Sequence, residues 1–314
     1  MFKIPSSMKW RRVNPVLVYR GAEGAYDEKG LSDPCVVWDQ AEGKWVMYYS
    51  AVGCFGPITA IAANPSNLAS YFEQWIKGMP LPLTNREILP GDQSYQKWWV
   101  LMDVWLHNKA VKMGEDFWAF FASAGEIRMA KAQALAGPWT IDPQPVLKEP
   151  GQWLDSPSAY WFPQEKQGVL YYTAGSGKEL LAATIYEDGR VEKAGLILAP
   201  TGQAGHWAEA RIGGLDLFPG EPEPWLALVE AGSPRGTVTG WATCDQAMPL
   251  SGWRLLDPVS PLEWPDQLPP EALETGQEAG LGRHHLFCLP DGRRKMYYSS
   301  GKPGFEQIYY RVGV

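Results

Sequence analysis

The sequence predicts an all-β fold, a single five-bladed β-propeller spanning residues 1–314, on three observations. One strand type recurs five times. Before each copy, across a structure-breaking segment, stands a second apolar strand. No stretch carries the 3.6-residue periodicity of an amphipathic helix.

The recurring strand reads WVMYYSA from Trp45, FWAFFASA from Phe117, VLYYTAG from Val169, WLALVEAG from Trp225 and KMYYSSG from Lys295. The segments AEGK, MGED, EKQG, PGEPEP and PDGRR break the chain before them, and PCVVWD, NKAVKM, PSAYWF, GGLDLF and RHHLFCL precede those breaks. Each unit therefore opens with a hairpin. A third strand follows, and in three copies a tryptophan closes it: Trp75, Trp139 and Trp253. The third copy, LLAATIYEDGRVEKAG, keeps the strand and lacks the tryptophan. The copies start further apart than the roughly 40–50 residues of WD40 or kelch repeats, so longer loops join the strands. Residues 71–100 and 257–280 read as such loops, and nothing reads as an interdomain linker.

The chain is 45% hydrophobic and 20% charged, enough for a large core. Its formal charge of −7 argues against a nucleic-acid partner, and no basic helical stripe suits a membrane surface. The start, MFKIPSSMKWRR, lacks the apolar centre of a signal peptide, and no apolar run reaches the roughly 18 residues of a membrane span. A soluble, cytoplasmic protein is expected. Cys35, Cys54, Cys244 and Cys288 show no metal or redox spacing and are expected to be reduced, mostly buried thiols. The 16 Trp, 14 Tyr and 10 Phe are expected to serve mainly the core. Their excess also suits a sugar, whose C–H face stacks on flat rings.

In a propeller the first strand of each blade lines the central channel, and its start faces one rim. Asp33, Asp155 and Glu209 stand before three of the first strands. Glycoside hydrolysis needs two carboxyl groups of different pKa, and a third nearby raises that of the acid. Each of the three also has a plainer reading, as a turn cap or a solvated charge. Asp103 is a competitor in the second blade. All four histidines, His107, His206, His284 and His285, fall near first-strand starts. Arg211 and Arg283 lie beside them and suit sugar hydroxyls or the carboxylates. Together with Lys109 they would suit an anionic substrate or phosphorolysis. Trp38, Trp99, Trp105, Trp153 and Trp207 are near strand starts; Trp105 and Trp207 are the stacking candidates.

Residues 24–51, GAYDEKGLSDPCVVWDQAEGKWVMYYSA, resemble the first blade of five-bladed propeller glycoside hydrolases, above all family 43 and its relatives in families 32, 68 and 130. LAGPWTIDP and LSGWRLLDP are similar to outer strands of those enzymes. The resemblance implies an inverting hydrolase acting on the ends of plant-type pentosides, a β-xyloside or α-L-arabinofuranoside. Asp33 would be the base, Asp155 the carboxylate that tunes pKa, and Glu209 the acid. It requires no organic cofactor. It also implies a water-rich channel site beside His284 or His285 that can hold Ca²⁺. The sequence departs from the family at Asp155-Ser156-Pro157, where Asp-Pro is usual, at Glu209-Ala210-Arg211, where Gly-Pro or Ala-Pro follows the Glu, and at DVWLHNK, where the second blade usually has Trp-Ala-Pro. Two alternatives therefore stand beside hydrolysis of pentosides: a β-fructosidase or glycoside phosphorylase on the same fold, and a non-catalytic propeller that binds a carbohydrate or a protein.

Overall fold

The computed structural model describes residues 10–18, 21–53, 56–64, 75–89, 97–105, 109–218, 224–234, 236–256, 282–289, 293–300 and 307–313. The first strand is β1 (Trp10–Val18). A four-strand meander follows: β2 (Gly30–Asp39), β3 (Lys44–Gly53), β4 (Gly56–Asn64) and β5 (Ile76–Pro80). Short pieces come next: β6 (Leu83–Thr84), a 3-10 turn (Arg86–Ile88), β7 (Trp98–Val100), β8 (Met102–Asp103), β9 (Lys109–Ala110) and β10 (Lys112–Met113). The second unit takes β7 with β11 (Asp116–Ser123), β12 (Glu126–Ala132) and β13 (Trp139–Ile141). The third is β14 (Asp155–Phe162), β15 (Gln167–Ala174), β16 (Glu179–Tyr186) and β17 (Val191–Leu198). The fourth is β18 (Arg211–Leu217), β19 (Trp225–Ser233), β20 (Gly236–Cys244) and β21 (Trp253–Leu255). In the last unit β22 (Gly282–Cys288), β23 (Arg294–Ser300) and β24 (Gln307–Gly313) are completed by β1, which pairs with β24. The first strands β2, β7, β14, β18 and β22 touch one another in that cyclic order, and β22 returns to β2. Radial packing of antiparallel units around a channel is the β-propeller architecture.

The second unit differs from the sequence reading. Its inner strand is the WWV of β7, inside the stretch read as a loop; the NKAVKM residues form β9 and β10 instead. A three-residue inner strand is too short to show alternation, whereas NKAVKM stands directly before the MGED turn, where the repeat places a first strand. β8 and β9 bridge the first and third units into one sheet, at Trp38↔Lys109 and Asp103↔Trp161. Residues 257–280, the other expected loop, lie outside the described residues.

The closing tryptophans explain how units lock together. Tyr48 of β3 and the Trp139 ring nitrogen both donate to the Leu135 carbonyl, and the two rings meet edge to face at 6.0 Å. Tyr171 of β15 and Trp253 repeat this on the Pro249 carbonyl, with rings 6.1 Å apart. Tyr297 of β23 meets Trp75 edge to face at 6.0 Å. Each pair joins the second strand of one unit to the outer strand of the next. The third copy lacks the tryptophan where the preceding unit offers Phe120, which has no hydroxyl to share the carbonyl. Among the described residues eleven tryptophans are nearly fully buried, so the aromatic excess there is chiefly core. Cys35 and Cys244 are buried free thiols, as expected; burial pushes the Cys35 thiol up to about 12.

Deeper in the channel, the Asp216 carboxylate ties three units together. Tyr160 of β14 donates to it, the Leu286 amide of β22 donates to its other oxygen, and the Leu217 amide donates to the Tyr160 hydroxyl at 3.1 Å. Desolvation drives the Asp216 pKa up to about 7 against these bonds and the positive charge of Lys97.

Trp253→Ala should cost about 3–5 kcal/mol and Tyr171→Phe only about 1 kcal/mol in urea melts, because Trp253 still satisfies Pro249 in the second variant. Asp216 binds its proton more tightly folded than unfolded, so its contribution is full below about pH 4 and fades as pH rises through about 7. Buried His285, 3.9 Å away, and His284 titrate oppositely, with pKa values lowered to about 3 and about 4 by desolvation. Asp216→Asn removes only the first contribution. The stability difference between wild type and this variant should therefore drift by up to about 1.4 kcal/mol per pH unit between pH 4 and 7, and a flat difference would refute the shift.

Candidate active site

In four units the inner strand carries one residue more than its partner at the same place. Ser32 pairs with Ser50 and Cys35 with Tyr48, so Asp33 and Pro34 lie against Tyr49 alone. Ser156 and Pro157 lie against Tyr172, Gly213 and Gly214 against Glu230, and Arg283 and His284 against Tyr298. Such a bulge bends the strand and re-aims its side chains.

At the first bulge Asp33 has φ 54, a left-handed conformation that Asp tolerates better than most residues. Its carboxylate accepts the Ser32 hydroxyl at 3.0 Å, and its amide donates to the Ser299 hydroxyl of β23 at 3.1 Å. Only 5% of it is exposed. The left-handed step recurs in the third unit at Ser156, φ 53, and not at Asp155. Asp155 stands one residue earlier, half-buried, and accepts the Ser156 amide at 2.6 Å. The register position matching Asp33 is thus a serine.

In the fourth unit Glu209 lies in the loop before β18 and accepts the Gly205 amide of that loop at 2.8 Å. His206 sits in the same loop, accepting the Ala208 amide at 2.9 Å. The carboxylate at the bulge is Glu230, 6% exposed, which the sequence reading did not single out. Glu230 accepts Arg211 at 2.9 Å, and Arg211 also donates to Thr237 at 2.7 Å. A Cβ on Gly213 would come within 2.8 Å of the Glu230 carboxylate oxygen, so the glycine makes room for it. The repeat carried the signal: MYYSA, LYYTA and MYYSS place tyrosine where WLALVEAG places Glu230.

Lys97, just before β7, is the second residue missed, because its stretch read as a loop. It is 6% exposed. Its ammonium lies 3.1 Å from where a Gly214 Cβ would stand, a point 3.8 Å from the Ser156 Cβ, and 5.2 Å from the centre of the Trp99 ring. A lysine from the second unit therefore occupies space between the third and fourth.

In the last unit His284 contacts the Thr239 hydroxyl at 3.5 Å and the Leu228 carbonyl at 3.3 Å. Desolvation, then Lys97, lowers its pKa to about 4 while Glu230 opposes, so the ring is neutral at pH 7. His285 contacts the Val36 carbonyl at 2.9 Å. Calcium takes six to eight oxygens. The one carboxylate beside His285 is Asp216, whose oxygens already accept two donors, and among the described residues no three His, Cys, Asp or Glu side chains gather as a metal group. These residues do not fit a directly coordinated Ca²⁺. The Arg283 side chain and His107 lie outside the described residues.

Asp103, Trp105 and Lys109 lie at the other end of the channel. Asp103 is level with Trp161, six residues along β14 from Asp155, or about 20 Å. Asp103 accepts the Trp105 amide at 2.8 Å. NKAVKM as an inner strand would put them at the rim; β7 holds that place instead. Trp38, level with Lys109, shares that end and packs on Trp45. Trp207 is buried, its ring wedged where Gly240 leaves space, and Trp99 is core. Trp153, 49% exposed and packed on Gly125 two residues before Asp155, is the tryptophan left open on the rim side among the described residues. No described helix is long and apolar enough to cross a membrane.

No protein-family model and no curated sequence matches the chain. Solved structures do. A thermostable family-43 glycoside hydrolase is 15% identical over 96% of this chain and 92% of its own, with a TM-score of 0.65. An endo-arabinase from Bacteroides thetaiotaomicron is 12% identical over 96% of both, at 0.66. The catalytic domain of a GH62 α-L-arabinofuranosidase from Coprinopsis cinerea is 12% identical over 99% and 98%, at 0.65. The chain spans only 60% of the length of another glycoside hydrolase, at 0.64 and 12% identity. At these identities the likeness is one of fold: the chain has the β-propeller fold of these glycoside hydrolases.

Proposed function

We propose that the protein is a glycoside hydrolase that removes sugars from the ends of chains, with pentosides such as β-xylosides and α-L-arabinofuranosides as first candidates. The observation that carries this reading is Asp33. A carboxylate is held in a left-handed bulge at the start of an inner strand, accepts the Ser32 hydroxyl, and is carried on a backbone whose amide donates to Ser299. A fixed carboxylate at the channel rim can take a proton from water as that water attacks an anomeric carbon, which inverts the configuration. Glu230 is our choice of proton donor, since it stands at a bulge of the same kind; to act it must take up a proton in place of its ion pair with Arg211. Glu209, favoured by the sequence, is the competing choice. Trp153 offers a ring face to the sugar. The solved neighbours named for arabinan and arabinofuranoside substrates support the choice of pentosides.

The test is release of nitrophenol from aryl pentosides, hexosides and fructosides, followed by proton NMR of the first-formed anomer. Asp33→Asn should lower kcat by roughly 10²–10⁴ with the thermal melt retained. Glu230→Gln should slow substrates with poor leaving groups far more than nitrophenyl glycosides, and Glu209→Gln should leave both unchanged. The reverse pattern would move the acid to Glu209. Turnover untouched by Asp33→Asn would remove Asp33 from the chemistry, and no turnover on any member would favour a binding role for the fold.

A further inference from the structure

We propose that the rim binds an oxyanion on Lys97, either the carboxylate of a uronic sugar or inorganic phosphate. Lys97 is more than nine-tenths buried. Among the described residues it takes no ion pair and no hydrogen bond; its one close partner is the face of Trp99. A buried ammonium normally has a carboxylate beside it, because water no longer stabilises the charge. Asp216 and Glu230 act within electrostatic range, yet neither forms an ion pair with Lys97. Gly214 presents no side chain, and Ser156 fills the register position that Asp33 fills in the first unit. His284, within electrostatic range, is neutral at pH 7. Lys97 exerts its charge on Asp216, His284 and His285, which come from the inner strands of the fourth and last units, so the ammonium belongs to the channel and not to the outer surface.

Ser156 is half-buried, and its Cβ lies 3.8 Å from the same point beside Gly214 that the ammonium approaches to 3.1 Å. An oxyanion there would receive a charge-assisted hydrogen bond from Lys97, the kind of contact that is strongest when water is excluded. This deepens the reading of the rim as a sugar site and rests on that reading for the ligand's identity, while its test needs no turnover.

The full chain is titrated calorimetrically at constant ionic strength with sodium phosphate, with D-glucuronate and with neutral D-glucose. Glucuronate bound in preference to glucose, or phosphate bound alone, is the expected result, and the two arms separate the sources. Lys97→Met should weaken that binding at least about tenfold, as loss of a charge-assisted hydrogen bond does, and Lys97→Arg should retain part of it. Should Lys97→Met fail to fold, Ser156→Asp carries the same test. It introduces a carboxylate across Gly214 from the ammonium, at a backbone conformation that Asp33 already adopts, and should abolish anion binding while raising the melting temperature. Binding of neither anion, or binding unchanged in both Lys97→Met and Ser156→Asp, would overturn the proposal. Failure of the glycoside panel would leave these titrations readable.

Discussion

One extra residue per inner strand shapes the whole rim. A strand with a one-to-one ladder alternates its side chains strictly between two faces. The two-for-one step before Cys35, Ser158, Leu215 and His285 breaks that alternation at one level of the channel. Above the step the strand can aim polar groups at the rim. Below it, the same strand returns to an ordinary ladder and packs Cys35, Leu215 and His285 into the interior. The left-handed backbone at Asp33 and Ser156 costs on the order of 1–3 kcal/mol each. It persists because flanking ladders, and in the first unit the Ser299 hydroxyl, over-determine it.

The layer beneath supplies the rigidity. Side chains of one inner strand bond the backbone of the next: Trp99 to the Ala159 carbonyl, Ser158 to the Leu215 carbonyl, and His285 to the Val36 carbonyl. With the Asp216–Tyr160 tie and the outer tyrosine–tryptophan pairs, neighbouring units are fastened near the axis and near the circumference. A rim group so mounted keeps its geometry without a ligand, which is what positioned acid–base chemistry requires.

Much of the architecture was legible in the sequence because repetition announces it. The strand MYYSA and its copies, the turn signals and the closing tryptophans all mark structural roles that recur. The place of Asp33 at the start of an inner strand was legible for the same reason, through Asp-Pro beside a clear strand. The candidate residues that were not legible are those where the repeat breaks. β7 is three residues long and carries no pattern, so Lys97 before it was hidden in an apparent loop. Asp155 and Ser156 differ by one position, and only the ladder register tells which occupies the bulge. Glu209 satisfied an expectation of order along the chain, yet its loop turns it onto the Gly205 amide. The expectation that Asp103, Trp105 and Lys109 lie at the rim arises from one misassigned strand, which moved all three together.

The breaks are chemically coupled. Tyrosine at the position facing the bulge is buried in the first and third units, filling the wedge with a ring. Replacing it by Glu230 leaves a smaller, charged group in that wedge, and a buried charge needs compensation. Arg211 supplies it at the strand start, and Gly213 removes the Cβ that would strike the carboxylate. Gly214, next along, vacates the space that the Lys97 ammonium approaches from across the channel. Two consecutive glycines thus admit one negative and one positive side chain from two different strands. The charge lost where Ser156 stands in place of an aspartate is regained at Glu230, on the adjacent unit and from the second strand. At matching bulges stand Asp33 in the first unit and Glu230 in the fourth, with Lys97 reaching the fourth from the second, a placement that no single segment of the sequence encodes.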